Sequence, residues 1–310
     1  MTSKFIQAPG AVVMVRPHRF HPNPETATDN AFQRTNGTSS KKEIAKAAYN
    51  EMTAAAEKLE HEGVRVHIFE DRGEKETPDS VFPNNWFSTH PGGHLAIYPM
   101  YNPSRRRERR YDIIEMIKAE YRVQDVIDYS CLEYDGLFLE GTGAMVLDHI
   151  ARVAYTARSN RADPIALERF CTHFNFEPMA FDTRDEKGDS IYHTNVMMCI
   201  ATDFAMVGFD IISDSDRREE VRSRIAEMGR AVIPLDNHQI SEFAGNAIEL
   251  SAGNNRILAI SVRAAAALSE QQKKTIEESA KIVELSVPSI ELAGGSIRCM
   301  LAGIHLARRY

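Results

Sequence analysis

Cysteine is scarce in this chain. There are four in 310 residues, Cys131, Cys171, Cys199 and Cys299, widely scattered and with no CxxC pair. That spacing excludes a disulfide framework and the close ligand pairs of a zinc site, so free thiols are the expected form. No apolar run reaches the length of a membrane span. The opening MTSKFIQAPGAVVMVRP is interrupted by Pro9 and Gly10 before a signal-peptide core can form, so a cytoplasmic location is expected. A surplus of positive charge is missing too. With 37 basic and 44 acidic side chains the formal charge is −7, which gives no electrostatic case for nucleic acid or an anionic membrane surface. Nucleotide fingerprints are lacking: Gly141-Thr142-Gly143-Ala144 has no third glycine, and no P-loop occurs.

What remains is a soluble mix, 43% apolar and 26% charged, with no composition break to mark a linker. Residues 21–40 are rich in turn formers and read as a long loop, a length that is often functional. Elsewhere strands and helices alternate. Residues 11–15 (AVVMV) form a short buried run, 39–63 a long helix ending at Gly63, and 64–69 a strand. A strand at 94–99, an Arg-rich helix near 104–120 and a strand at 123–130 follow. Hairpins are expected at 143–157 and 193–210, with helices near 163–174 and 214–229 and a strand at 231–235; residues 246–268 repeat the theme. A hairpin, a helix and a further strand thus recur four or five times. This favours repeated ββαβ units over a doubly wound sheet.

Four segments could carry chemistry. Gly294-Gly295-Ser296 precedes Cys299, and a glycine turn at a helix start is where a thiolate is stabilised, although a lone cysteine is more often core. His193 stands where an apolar strand is expected to begin, and Cys199 within that run reads as core. Glu140 lies between Leu137-Phe138-Leu139 and a Gly-Thr-Gly turn, either solvated or holding a histidine. Asp79, Asn84 and Asn85 surround a Phe-Pro turn beside Trp86, the only tryptophan. The run at 105–110 (RRRERR) reads as the exposed first turns of a helix, because the chain is acidic and no aromatic residue interleaves it. His90 and His94 are four apart, but Pro91-Gly92-Gly93 forbids the helix that would align them on a metal.

Taken in order, PDSVFPNNW (78–86), LEGTG (139–143), HTN (193–195) and GGSIRC (294–299) resemble the guanidino-group-modifying superfamily of arginine deiminases, dimethylarginine hydrolases and amidinotransferases, with a citrulline-hydrolase-like subgroup the best fit. The resemblance spans nearly the whole chain. It implies one catalytic domain over residues 1–310, a five-bladed α/β propeller of ββαβ units with pseudo-fivefold symmetry. It also implies Cys299 as nucleophile, His193 as general acid–base and Glu140 as the carboxylate holding His193 as an imidazolium. Asp79 matches an acidic residue of the pocket. Asn85 and Asn195 fall where arginine deiminases place the two aspartates that clasp the guanidinium. Asn30 matches a substrate-contacting asparagine of arginine-dihydrolysing relatives, and Arg161 a binder of the substrate carboxylate.

The two departures from aspartate have a physical meaning. Desolvating a guanidinium without carboxylate partners costs several kcal/mol. Asparagine both donates and accepts, which suits a neutral ureido group. The expected reaction is therefore hydrolysis of citrulline to ornithine, carbon dioxide and ammonia, with no metal or organic cofactor. Its partner would be a small amino acid, and homo-oligomerisation stays open. Arginine deimination or dihydrolysis and amidino transfer are the rival reactions, and an inactive propeller that only binds is the rival outside catalysis.

Overall fold

The computed structural model describes residues 6–34 and 40–310. The first five residues used to exclude a leader and Ser39 at the expected helix start therefore lie outside the described residues.

Along the chain, β1 (Ala11–Pro17) runs through α1 (Lys41–His61) to a parallel β2 (Arg65–Asp71). Then β3 (Phe87–His90) and β4 (His94–Ile97) form a hairpin, and α2 (Pro103–Arg106) and α3 (Tyr111–Glu120) lead to β5 (Asp125–Asp128), parallel to β4. Next come α4 (Gly141–Ala144), the hairpin β6 (Met145–Asp148) and β7 (Val153–Ala157), α5 (Pro164–Phe174) and β8 (Glu177–Phe181). The pattern continues with β9 (Met198–Ile200), β10 (Phe204–Val207), α6 (Ser215–Ala226) and β11 (Ala231–Pro234). After α7 (Asn237–Ser241) it runs through β12 (Ile248–Ala252), β13 (Asn255–Ser261), α8 (Val262–Ala267), α9 (Glu270–Glu277) and β14 (Lys281–Leu285). Last, α10 (Ile297–Met300) precedes β15 (Ala302–Gly303), which pairs antiparallel with β1.

Among the described residues this makes five three-stranded sheets of one pattern: an antiparallel pair, then a helical crossover to a parallel third strand. The first sheet is completed from the far end of the chain, a pairing no local pattern could show.

Burial is graded within each sheet. First and middle strands such as β6 and β7 are buried throughout, which is why they read as unbroken apolar runs. Third strands such as β2 and β5 are half exposed. First strands of different sheets touch: β15 meets β3, β6 meets β9, and β9 meets β12. Helices cover the outer strands, and their ends are locally specified. Ser40 and Glu43 make a capping box at α1, and Asp163 caps α5 ahead of Pro164.

Three expectations need correction. The Arg-rich helix is two helices, broken at 107–110 where Arg110 has extended backbone. The run at 105–110 is not uniformly exposed either: Arg105 and Glu108 are buried, because they pair with each other and Arg105 also meets deeper carboxylates. His193 does not start a strand; it precedes a 3-10 turn, Thr194–Val196, and the strand begins at Met198.

Candidate active site

The turn ahead of a sheet's first strand is the position where chemistry-bearing residues recur. Asn85 closes the 3-10 turn before β3, Glu140 opens α4 before β6, and His193 opens the turn before β9. Asn246 stands just before β12, and Cys299 lies in α10 before β15. These turns meet in the fold: α4 contacts both 3-10 turns, and α10 contacts the one at Pro83–Asn85. Gly143 lets them approach, since a Cβ there would stand 2.1 Å from Asn85 Nδ2 and 2.8 Å from His193 Nδ1.

Six of the eight residues singled out by sequence line one cavity: Asn30, Asp79, Asn85, Arg161, His193 and Cys299. The other two stand behind it. Glu140 Oε2 lies 2.8 Å from His193 Nε2, and Asn195 Nδ2 donates to Cys299 Sγ at 3.2 Å. Asn195 is thus held against the thiol and does not face the cavity, contrary to its expected place in a substrate clasp. The cavity is about 10 Å³, room for about one water. A wider groove of about 1000 Å³ between α1 and residues 18–25 includes neither Cys299 nor His193.

Arg105 is one of the site residues that sequence reasoning missed. It is 2% exposed, forms a two-pronged pair with Glu108 (3.0 Å for each contact) and donates through Nη1 to Asn85 Oδ1 at 2.9 Å. Glu140 lies 3.4 Å away and Asp79 3.8 Å. Arg161, 1% exposed, is paired with Asp29 through both carboxylate oxygens and sits 3.7 Å from Glu140. Glu108 lies just past the end of α2, and the repeated arginines around it give no local signal that Arg105 is the one buried with it. Tyr192 was missed as well; its ring lies under Arg161 and its hydroxyl donates to Gly294 O.

The electrostatics follow from this crowding. Burial pushes the Glu140 carboxyl upward, but Arg161, the His193 hydrogen bond and Arg105 outweigh it and bring it down to about 2. Burial lowers His193 to about 4 against the pull of Glu140, with Arg161 and Arg105 adding to the fall. The ring is therefore neutral at rest where an imidazolium was expected, because burial, helped by the two arginines, outweighs the pull of Glu140. An ionised Glu140 only accepts, so His193 carries its proton on Nε2 and its lone pair on Nδ1. Burial raises the Cys299 thiol, with Asn246 and Asn195 opposing. Burial likewise raises Asp79 against Arg105; its Oδ2 accepts from Asn23 Nδ2 at 2.8 Å while Oδ1 is buried without a partner. Asn30 donates through Nδ2 to Ala293 O at 3.0 Å and packs against Gly294 (φ 83°) so closely that a Cβ there would stand 2.5 Å from Nδ2.

Comparisons with known proteins give the family and the fold. The model of the eukaryotic N,N-dimethylarginine dimethylhydrolase family matches residues 16–306. The chain belongs to that family. Membership places it in the guanidino-modifying, or pentein, superfamily. No curated protein matches this dimethylarginine dimethylhydrolase family member. Among solved structures, it is similar to the product-bound N-terminal domain of ArgZ, an arginine dihydrolase from the ornithine–ammonia cycle in cyanobacteria (17% identity, 95% of this chain and 97% of that, TM-score 0.72). It is also similar to unliganded AgrE (18%, 97% of this chain and 40% of that, 0.73). A third is a dimethylarginine dimethylaminohydrolase adduct with S-methyl-L-thiocitrulline (13%, 98% and 99%, 0.64). The family member shares their mixed α/β fold of small sheets. Among its described residues no group of three His, Cys, Asp or Glu is placed to hold a metal, and no helix is long and apolar enough to cross a membrane. His90 and His94 pair across the β3–β4 hairpin, with aromatic rings of α5 around them.

Proposed function

We propose that this chain is a cysteine-dependent hydrolase of a ureido or guanidino amino acid, with citrulline as best substrate and ornithine, carbon dioxide and ammonia as products. The orientation of Asn85 carries the choice. Arg105 can only donate, so the Asn85 atom that meets it is the oxygen. That leaves Nδ2, buried and unpartnered, as a donor toward the site. A ureido oxygen can accept from it, whereas every nitrogen of a guanidinium is a donor. Asp79 Oδ1 can then accept from the ureido NH2.

Cys299 is the nucleophile in this reading, His193 the acid–base and Glu140 the group that holds the His193 tautomer. Cys299 Sγ bonds to the ureido carbon, and its proton passes by way of His193 Nδ1 to the departing nitrogen. The C–N bond breaks and one amine leaves, with a thiocarbamate on Cys299. His193 then takes a proton from water as it adds to that carbon. The C–S bond breaks, the proton returns to sulfur, and the released carbamic acid falls apart to carbon dioxide and the second amine. Arg161 takes the substrate carboxylate in place of Asp29, so the wall carrying Asp29 and Asn30 gives way on entry. Asn30 keeps one Nδ2 hydrogen beyond its bond to Ala293 for the ligand. Residues 1–310 act as one catalytic unit, its five sheets set as the blades of a propeller about a pseudo-fivefold axis; the burial gradient and the contacts between first strands support that arrangement.

A second reading, arginine dihydrolysis, is favoured by charge: Asp29, Asp79, Glu108 and Glu140 outnumber Arg105 and Arg161 around the site. Ornithine, citrulline and ammonia release from citrulline, arginine and dimethylarginine, supplied singly and without an acceptor amine, decides between them. The expected outcome is the highest kcat/KM for citrulline, and a citrulline-to-arginine ratio that falls about tenfold or more in Asn85→Asp. A higher kcat/KM for arginine in the unmodified protein overturns the choice of citrulline.

A further inference from the structure

We propose that Asn246, with Asn195, forms a two-amide cradle that stabilises the thiolate of Cys299 as its proton leaves, making Asn246 a catalytic residue of this site. The inference rests on the reading of Cys299 as nucleophile and adds the group that activates it.

Asn246 is fully buried, and every hydrogen-bonding position of its side chain is in use. Oδ1 accepts from the backbone N–H of Ser296 and Arg298, both at 3.1 Å, and of Cys299 at 3.4 Å. Three donors around one atom leave no ambiguity about which end of the amide is oxygen. The opposite end is therefore NH2, and its two hydrogens go to Asn195 O at 2.9 Å and Cys299 Sγ at 3.2 Å. Asn195 Nδ2 reaches the same sulfur at 3.2 Å. Two N–H donors thus converge on one buried sulfur, and neither amide lines the cavity on the other side of it.

A thiol has little use for two donors. A thiolate gains from each a charge-assisted bond that a neutral sulfur does not. The arrangement is also rigid. The turn that carries Asn246 is pinned against the His193 turn: a Cβ on Gly245 would stand 2.6 Å from Val196 O, and Phe243 is held at a φ of 65°. Asn246 Oδ1 ties the loop of Cys299 to that turn, so the same side chain places the sulfur and donates to it. With His193 neutral and no cationic side chain bonded to Sγ, the two amides lead the groups that oppose the rise burial imposes on this thiol, ahead of the Ser296 backbone and the more distant charge of Arg298. The residue comes from the fifth sheet's leading turn, in the place that Asn85 and Asn195 take in theirs, and no charge or motif marks it in the sequence.

The test is the pH dependence of Cys299 alkylation by iodoacetamide in the full chain, followed by mass spectrometry of the Cys299 peptide, beside kcat for the best substrate. Asn246→Asp keeps an acceptor for the three backbone N–H groups and removes both donors. Its alkylation midpoint should rise by at least one pH unit, with alkylation and kcat each at least tenfold slower at pH 7. Asn195→Ala removes one donor that bonds nothing else and leaves the loop of Cys299 intact. It should raise the midpoint by a smaller, measurable step with an unchanged melting temperature, and it decides the matter if Asn246→Asp does not fold. Unaltered midpoints in folded variants overturn the cradle even if Cys299→Ala is inactive. An active Cys299→Ala would instead remove the nucleophile reading itself.

Discussion

Arg298 and Cys299 are neighbours on one short helix, yet they face two different buried polar spaces. Around Cys299 the walls are ionic: Glu140, Glu108, Asp79 and Asp29 are set against Arg105 and Arg161. Around Arg298 is a cavity of about 40 Å³ whose histidines, His149 and His305, have no carboxylate partner and stack on each other at 3.9 Å. Burial makes imidazoles neutral in both places, taking His305 to about 3 and His193 to about 4. The difference is therefore not charge but definition. Glu140 fixes which nitrogen of His193 holds the proton, whereas His149 Nδ1 is buried with no partner at all. A histidine becomes usable for proton transfer when a carboxylate sets its tautomer, even if the pair stays neutral-plus-anion at rest.

The comparison breaks most sharply at the thiols. Cys299→Ala should lower turnover by roughly a thousandfold or more with an unchanged circular dichroism spectrum. Cys199→Ala, on the Arg298 side, should leave kcat within about twofold, since burial pushes that thiol up to about 12 and it packs in the core. Ornithine release measured on the three proteins checks both halves. At the histidines, Glu140→Gln should cost roughly a hundred- to ten-thousandfold in kcat, because the tautomer of His193 is no longer imposed. His149→Gln should leave kcat near the unmodified value and move only the melting temperature.

Within residues 105–110 the contrast is one of stability. Arg105→Ala removes the cation shared by Glu108, Asp79 and Glu140, of which Glu140 keeps Arg161, and should cost about 3–5 kcal/mol in urea unfolding. Arg107→Ala, exposed and bonded to backbone carbonyls, should cost within about 0.5 kcal/mol. Equal losses would mean that the buried network contributes nothing beyond a surface contact.

The smallest effect is one of pH. Burial depresses His90, His149, His193 and His305 in the fold below the ordinary value of 6.5. Each of these rings therefore binds its proton more readily in the unfolded chain, and the stability it contributes is full above 6.5 and falls as pH drops toward 4. Each should contribute a loss of about 0.8 kcal/mol between pH 7.5 and 6. Urea midpoints at the two pH values test the sum, and His149→Gln should reduce the slope if the Arg298 side shares in it. Glu108, which burial pushes up to about 8, binds a proton in the fold over the same range and opposes the total slope, so the deciding result is the change in slope: none in His149→Gln would mean that this ring is not held neutral.

Much of this was legible locally. The helix at 41–61 announces itself by the capping box at Ser40 and its apolar spacing, and the buried strands by short β-branched runs. β3 was not, because Phe87–His90 follows a turn-rich segment and its alternation is only four residues long. Cys299, His193 and Glu140 were legible only as an ordered set of motifs, each ordinary alone. Arg105 was hidden by its neighbours: in a run of five arginines and one glutamate, nothing local says which side chain turns inward.

What the sequence determined by itself is the alternation of elements, the free thiols, the absence of a basic face and the identity of the polar residues at each leading turn. Those properties depend on residues a few positions apart, where periodicity and capping act. The tertiary structure alone decided how those residues divide the work. It placed Asn195 behind Cys299 at a separation of 104 residues, closed Arg161 onto Asp29 across 132, and set Glu140 against His193 across 53. It also buried His193 and gave Glu140 two arginine neighbours, so that the ring rests neutral. Ionisation and hydrogen-bond direction depend on every charge within a few ångströms, and only the folded chain brings those charges together.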